Sequence, residues 1–207
     1  MEFFKNIFKK KKESLKGAFF GSSEYEMKNL LCGIGESEIL DSEIKISKYP
    51  FEPSSIFPEK VISVNEINAI SWDSYPPLIR IDNEVIFISR EYSDQLKKFA
   101  DNNNVETFEA TRNWNWLLEP YVDTEYTDET DQRLRGLLEK NGILNEEIDT
   151  IRDEVKEQMF KYNFDTMLWD WGGLGFSDVL AAMRVKYNKE QFVDFYNRAM
   201  EIQLRTK

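Results

Sequence analysis

Beyond Asn145 the apolar side chains fall at Ile148, Ile151, Val155, Met159 and Tyr162, in steps of three and four residues. Such steps return each side chain to one side of an α-helix, so this stretch must form a long helix with a single buried face. Asn145 is a suitable N-cap, and Glu146 and Glu147 sit where the helix dipole is positive. A helix of this kind is stable only against an apolar surface supplied by the rest of the chain.

The neighbouring segments supply more helices. Thr127 or Asp128 can start one in which Leu134, Leu137 and Leu138 share a face, and Asn141-Gly142 offers a left-handed stop. Ser177-Asp178 starts another, with Val179, Leu180 and Met183 facing inward. The last, from Lys189 to Leu204, would bury Phe192, Phe195, Tyr196, Ala199 and Met200, with i, i+4 pairs between Asp194 and Arg198 and between Glu201 and Arg205.

The first half reads differently. A short helix from Tyr25 to Cys32, capped by Ser22 or Ser23, precedes a region where strand patterns alternate with turns. Glu43 to Ser47, Lys60 to Val64 and Ala69 to Trp72 read as strands, while Leu78 to Ile81 and Glu84 to Ser89 form a hairpin across Asp82-Asn83. Ser93 can cap a helix through Leu96 and Phe99 that ends at Asn102-Asn103-Asn104. Strands first and helices afterwards predict an α+β fold: a small antiparallel sheet with a closing helix in the N-terminal half, then about four helices. The expected divisions are a basic amphipathic segment over 1–20, an α+β subdomain over 21–110 and a helical subdomain over 111–207, packed on the sheet. With 41% apolar and 14% aromatic residues, 207 residues are ample for such a core.

Charge and residue type narrow the function. The chain has no histidine and one cysteine, which removes the usual imidazole bases, zinc ligands and thiol–imidazole pairs. Carboxylate, lysine and tyrosine chemistry survives that exclusion. Cys32 has no intramolecular partner and follows Leu30-Leu31, which predicts a buried structural thiol in a reducing compartment. A net charge of -11 argues against nucleic acid, whose phosphates require concentrated positive charge. Neither a spanning apolar run nor a secretory leader is legible, so a cytoplasmic location is expected.

Three constellations remain. Between Arg112 and Arg133 the chain carries Glu119, Asp123, Glu125, Asp128, Glu129 and Asp131 with no intervening base. Calcium, a basic protein partner or water could answer that charge. An EF-hand loop needs glycine where Asp128 stands, so no metal is assigned. A basic protein is the favoured partner, because charge-steered association uses such a patch. Trp114 and Trp116 adjoin it and have the area and N–H donor common in recognition surfaces, although core packing claims most tryptophans.

A second tryptophan pair, Trp169 and Trp171, leads into Gly172-Gly173-Leu174-Gly175, which lacks the lysine of a phosphate-binding loop and is read as a turn between helices. Asp165, Asp170 and Asp178 flank it, and paired carboxylates beside tryptophan are the minimum for acting on a sugar. The third constellation is the start of the chain. Its first twenty residues hold six lysines and two glutamates, a charge of +4, leaving -15 for the remainder. In helical form Phe3, Phe4, Ile7 and Phe8 share a face and Lys9, Lys10, Lys11 and Lys12 follow, a pattern suited to an anionic membrane surface. The leading expectation is an acidic protein-binding molecule, an adaptor or an antitoxin- or immunity-like neutraliser, without cofactor. Peripheral membrane association and a carboxylate-based enzyme are the alternatives.

Overall fold

The computed structural model describes residues 21–122, 126–166 and 173–206. The fold is α+β, as expected. Helix α1 (Glu24–Leu30) precedes strands β1 (Glu36–Ile39), β2 (Glu43–Ser47), β3 (Lys60–Ser63), β4 (Ala69–Ser71), β5 (Leu78–Ile81) and β6 (Glu84–Phe87). Helix α2 (Ser93–Asn103) and strand β7 (Glu106–Thr107) follow, and then α3 (Asn113–Leu118), α4 (Asp128–Lys140), α5 (Asn145–Thr166), α6 (Phe176–Lys186) and α7 (Lys189–Leu204).

The strands divide between two sheets. β1, β2 and β3 form an antiparallel sheet, and the second sheet has the order β6-β5-β4-β7, with β7 parallel to β4. In the first, Ile44 and Ile46 of β2 are buried while Lys45 between them is exposed, the alternation of a sheet wet on one face. β1 has little apolar signature, reading Glu36-Ser37-Glu38-Ile39, and owes its place to β2. Gly35 lets it start there: φ is +86°, and a Cβ would stand 2.9 Å from the carbonyl oxygen of Ser47.

The second sheet is enclosed. Leu78, Ile79 and Ile81 of β5 and Val85, Ile86 and Phe87 of β6 are all buried, so both faces of the hairpin meet apolar neighbours. The turn is made by Asp82 at φ 49°, whose N–H donates to Asn68 Oδ1 at 2.5 Å. At the open edge of β6, the Val85 N–H donates to Met200 Sδ at 3.2 Å, so α7 covers that edge.

Capping follows the sequence in part. Ser93, expected to cap α2, instead donates to the Arg90 carbonyl, and Asn145 lies inside α5 with its side chain on Arg135 and Glu139. Helix α6 starts at Phe176, after Gly175, and not at Ser177. Ser23 caps α1 in a capping box, its Oγ accepting from the Glu26 N–H at 3.2 Å while Glu26 Oε2 accepts the Ser23 N–H at 2.7 Å. Ser22, the other candidate, donates instead to Asp165 Oδ2 at the far end of α5. Thr127 caps α4, and Asn188 caps α7. One local pair is overruled by tertiary structure. Arg198 forks onto Glu154 of α5, at 2.7 and 3.1 Å, instead of onto Asp194, whereas Arg205 does hold Glu201 at 2.8 Å.

A line of aromatic rings joins the sheets to the helices. Tyr49 meets Phe51 with centroids 5.7 Å apart, Phe51 meets Phe87 at 5.9 Å, and Phe87 meets Phe176 of α6 at 5.4 Å. Phe176 stacks on Trp114 at 6.2 Å and 10°, and Trp114 meets Phe195 of α7 at 6.2 Å. The buried core is therefore one body that takes side chains from both halves of the chain. Trp114→Ala, at a site 1% exposed, should cost about 3–5 kcal/mol in urea unfolding. A loss within experimental error would show that the ring line carries no stability.

Candidate functional site: the acidic face of α4 and α5

The acidic segment ends in the first turn of α4. Thr127 Oγ1 accepts the Thr130 N–H at 3.2 Å, which sets Asp128, Glu129 and Asp131 against the positive end of the helix. Helix geometry thus answers part of the charge density that makes this segment conspicuous in the sequence.

Asp131 turns inward. Its carboxylate accepts from Tyr126 Oη at 2.6 Å, Arg135 Nε at 2.7 Å and Arg152 Nη1 at 2.6 Å. Arg152, buried on α5, also donates to the carbonyls of Leu117 and Trp116, both at 3.2 Å, closing the exposed end of α3. Arg135 reaches Asp149 at 2.6 Å and Asn145 Oδ1 at 3.1 Å. Burial pushes the Asp131 carboxyl up, but the hydrogen bonds from Tyr126, Arg152 and Arg135 outweigh it and hold the group at about 2. Burial, reinforced by the bond to Asp131, pushes the Tyr126 hydroxyl up to about 12.

This inward pairing decides the outer charge. Arg152 is committed to Asp131 and the backbone and Arg135 is shared between Asp131 and Asp149, while Asp128 and Glu129 are exposed. The cross-links from Asp131 to Arg152 and from Arg135 to Asp149 lay α4 antiparallel along α5. Glu146, Asp149, Asp153 and Glu157 of α5 are also exposed, at helical steps of three and four; Asp149 is answered by Arg135, and the other three extend the acidic face beyond the original segment. Arg133 is an exposed base on α4. The α5 carboxylates and the organising roles of Tyr126, Arg135 and Arg152 were absent from the sequence reading. The four-residue recurrence of acids along α5 was the available signal for the former.

Other expected site residues lie elsewhere. Trp114 is a core residue, 1% exposed, with its indole N–H donated to the Ala199 carbonyl at 2.9 Å; burial leaves it no face for a partner, which corrects its assignment to a recognition surface. Trp116 is half-buried and packs against the core. Glu119 is half-buried and engaged within the fold. Asp123 and Glu125 lie outside the described residues, as do Phe3, Phe4, Ile7, Phe8, Lys9, Lys10, Lys11 and Lys12 of the proposed membrane segment.

The glycine loop and its aspartates are partly described. Asp178 accepts the Gly175 N–H at 2.8 Å on one oxygen and the Tyr162 hydroxyl at 2.8 Å on the other. The chain's own carboxylate thus occupies the amide at the start of α6. Burial pushes the Asp178 carboxyl up despite those bonds. Asp165 accepts from Ser22, and Asp170 lies outside the described residues, as do Trp169, Trp171 and Gly172. Cys32 is half-buried beside Arg184, burial pushes its thiol up, and Arg184 is forked onto Glu52 at 2.7 and 3.1 Å.

Among the described residues no group of three or more cysteine, aspartate or glutamate side chains is placed to hold a metal, and no helix is long and apolar enough to cross a membrane. A shallow depression of about 570 Å³ opens on the first sheet beside Glu36, Glu38, Lys45, Glu59 and Val61, and shares no residue with the acidic face. No family model matches the chain, and neither the curated proteins nor the solved structures contain a match to it.

The Asp131 network has a pH signature. Its folded pKa of about 2 lies below the ordinary 3.8, so its contribution is present above about pH 4 and is lost as pH falls through 2. Asp131→Asn should therefore cost about 2 kcal/mol at neutral pH, shrinking toward zero in acid. A stability difference that is constant across that range in urea titrations would contradict the ion-paired assignment.

Proposed function

We propose that this chain is a protein-binding molecule, an adaptor or a neutraliser of the antitoxin or immunity type, that receives a cationic protein on the outward face of α4 and α5. The observation that carries this reading is the direction of the arginines. Asp131 draws Arg135 and Arg152 toward itself, and the exposed carboxylates Asp128, Glu129, Asp153 and Glu157 are left facing solvent. The half-buried Trp116, whose carbonyl is fixed by Arg152, borders the same network.

Physical chemistry supports a role in association more than in catalysis for such a face. Exposed carboxylates raise the encounter rate of a basic partner and suppress acidic competitors, and the effect weakens as salt shortens the screening length. The two framing arginines hold α4 against α5, so the face is rigid before a partner arrives. Rigidity lowers the ordering cost of association.

The reading is tested by reversing Asp128, Glu129, Asp153 and Glu157 to lysine together. Partners should be recovered from the native cell by carbodiimide cross-linking, which joins carboxylates to neighbouring lysines, and then measured with the purified pair. Binding should fall by at least about tenfold on reversal, and wild-type binding should weaken with salt. Reversal of Glu190 and Asp194 on α7 serves as the control and should leave binding intact. Equal binding by wild type and the α4–α5 variant, with unchanged circular dichroism, would refute the assignment.

A further inference from the structure

The unpaired edge of the first sheet has a definite backbone orientation. The Val64 N–H donates to the Ser42 carbonyl at 3.0 Å, and the β2–β3 register pairs Ile62 with Ile44 and Lys60 with Ile46. Backbone groups alternate along a strand, so residues 60, 62 and 64 face β2 and residues 59, 61 and 63 face outward. The Ser63 N–H confirms the direction, because it turns away from β2 to Glu66 Oε2 at 2.9 Å. The outward N–H and C=O of Val61 meet no partner among the described residues. Its side chain is 49% exposed, and Phe57, just before the strand, is 41% exposed.

We infer that β3 pairs with β3 of a second copy of this chain, antiparallel and with the two-fold axis at Val61, so that two three-stranded sheets join into one of six strands. The side chains suit that register. Val61 meets Val61 of the copy and exchanges both backbone bonds with it. Glu59 stands opposite Ser63 and donates its N–H to the Ser63 carbonyl, while the Ser63 N–H stays with its own Glu66, and no charge faces its like. Ser63 Oγ accepts the Asn65 N–H at 3.4 Å, which leaves its hydroxyl proton to donate to Glu59 of the copy. Lys60 stays with its own Glu66 at 2.6 Å.

The other edges are unsuited to a second copy. In β1, an axis at Glu38 would face Glu38 with itself, an axis at Ser37 would set Glu36 against Glu38, and an axis at Ile39 would need the Asp41 carbonyl, which already accepts from Asn103 Nδ2 at 2.8 Å. β6 is covered by α7 through Val85 and Met200, and β7 has only Glu106 and Thr107. The self-complementary pattern Glu59, Val61, Ser63 therefore selects β3 and selects a copy of the same chain as its occupant.

Sedimentation velocity of the full chain over a concentration series tests the pairing. Wild type should show a monomer–dimer equilibrium. Val61→Lys and Val61→Glu, each placing like charges on the axis, should be monomeric with unchanged circular dichroism, and mixing the two variants should restore the dimer. Monomeric wild type at every concentration overturns the proposal, as does a dimer that survives both substitutions. Two monomeric variants that fail to associate when mixed overturn the register by placing residue 61 away from the axis.

Discussion

The line of rings from Tyr49 through Phe51, Phe87, Phe176 and Trp114 to Phe195 is the constraint on which the rest of the fold depends. Neither part it connects could bury its apolar surface alone. The first sheet is thin and wet on one face, and the longest helix has one apolar stripe among exposed acids. Trp114 is the joint. Its indole N–H is answered by a carbonyl of α7, so the ring supplies apolar area without leaving a buried donor unpaired.

The polar counterpart of that joint is the cluster around Asp131. Arg152 is buried and charged, an arrangement that is costly unless the charge is paired and the other donors are used. Here one carboxylate, two carbonyls and a tyrosine hydroxyl accept from it, and α3, α4 and α5 are tied together as a result. Stability and surface charge come from the same arrangement, because Arg152, committed to the interior, neutralises nothing on the exterior, and Arg135 answers only Asp149 there. The acidic face is a by-product of packing that a charge count along the chain does not show.

Sequence reading succeeded where structure is governed by short-range rules. The bounds of α7, a serine cap on α1 at Ser23, one of the two serines available, the start of α5 at Asn145 and the hairpin at Asp82-Asn83 follow from periodicity, capping and turn chemistry, although Asn145 itself caps nothing. β1 escaped because Glu36-Ser37-Glu38-Ile39 has no apolar alternation strong enough to mark a strand. The division into two sheets and the parallel addition of β7 escaped because strand pairing is chosen by partners distant in the chain. Arg198 shows the same limit on a single side chain: an i, i+4 partner was available, but Glu154, with its hydroxyl support from Tyr187, was the better acceptor.

By itself, then, the sequence determined the α+β class, the long helices, the absence of histidine chemistry and the net acidity, since each depends on residue type or on spacing within a few turns. Only the tertiary structure decided which acids face solvent and which are neutralised. Trp114 and Asp131 belong to the same segment as Trp116 and Glu129, yet the first pair is drawn into the fold while Trp116 stays half-buried and Glu129 exposed. The difference arises because a partner such as Arg152 or Ala199 reaches them from another helix, and energies of that kind are set by position in space.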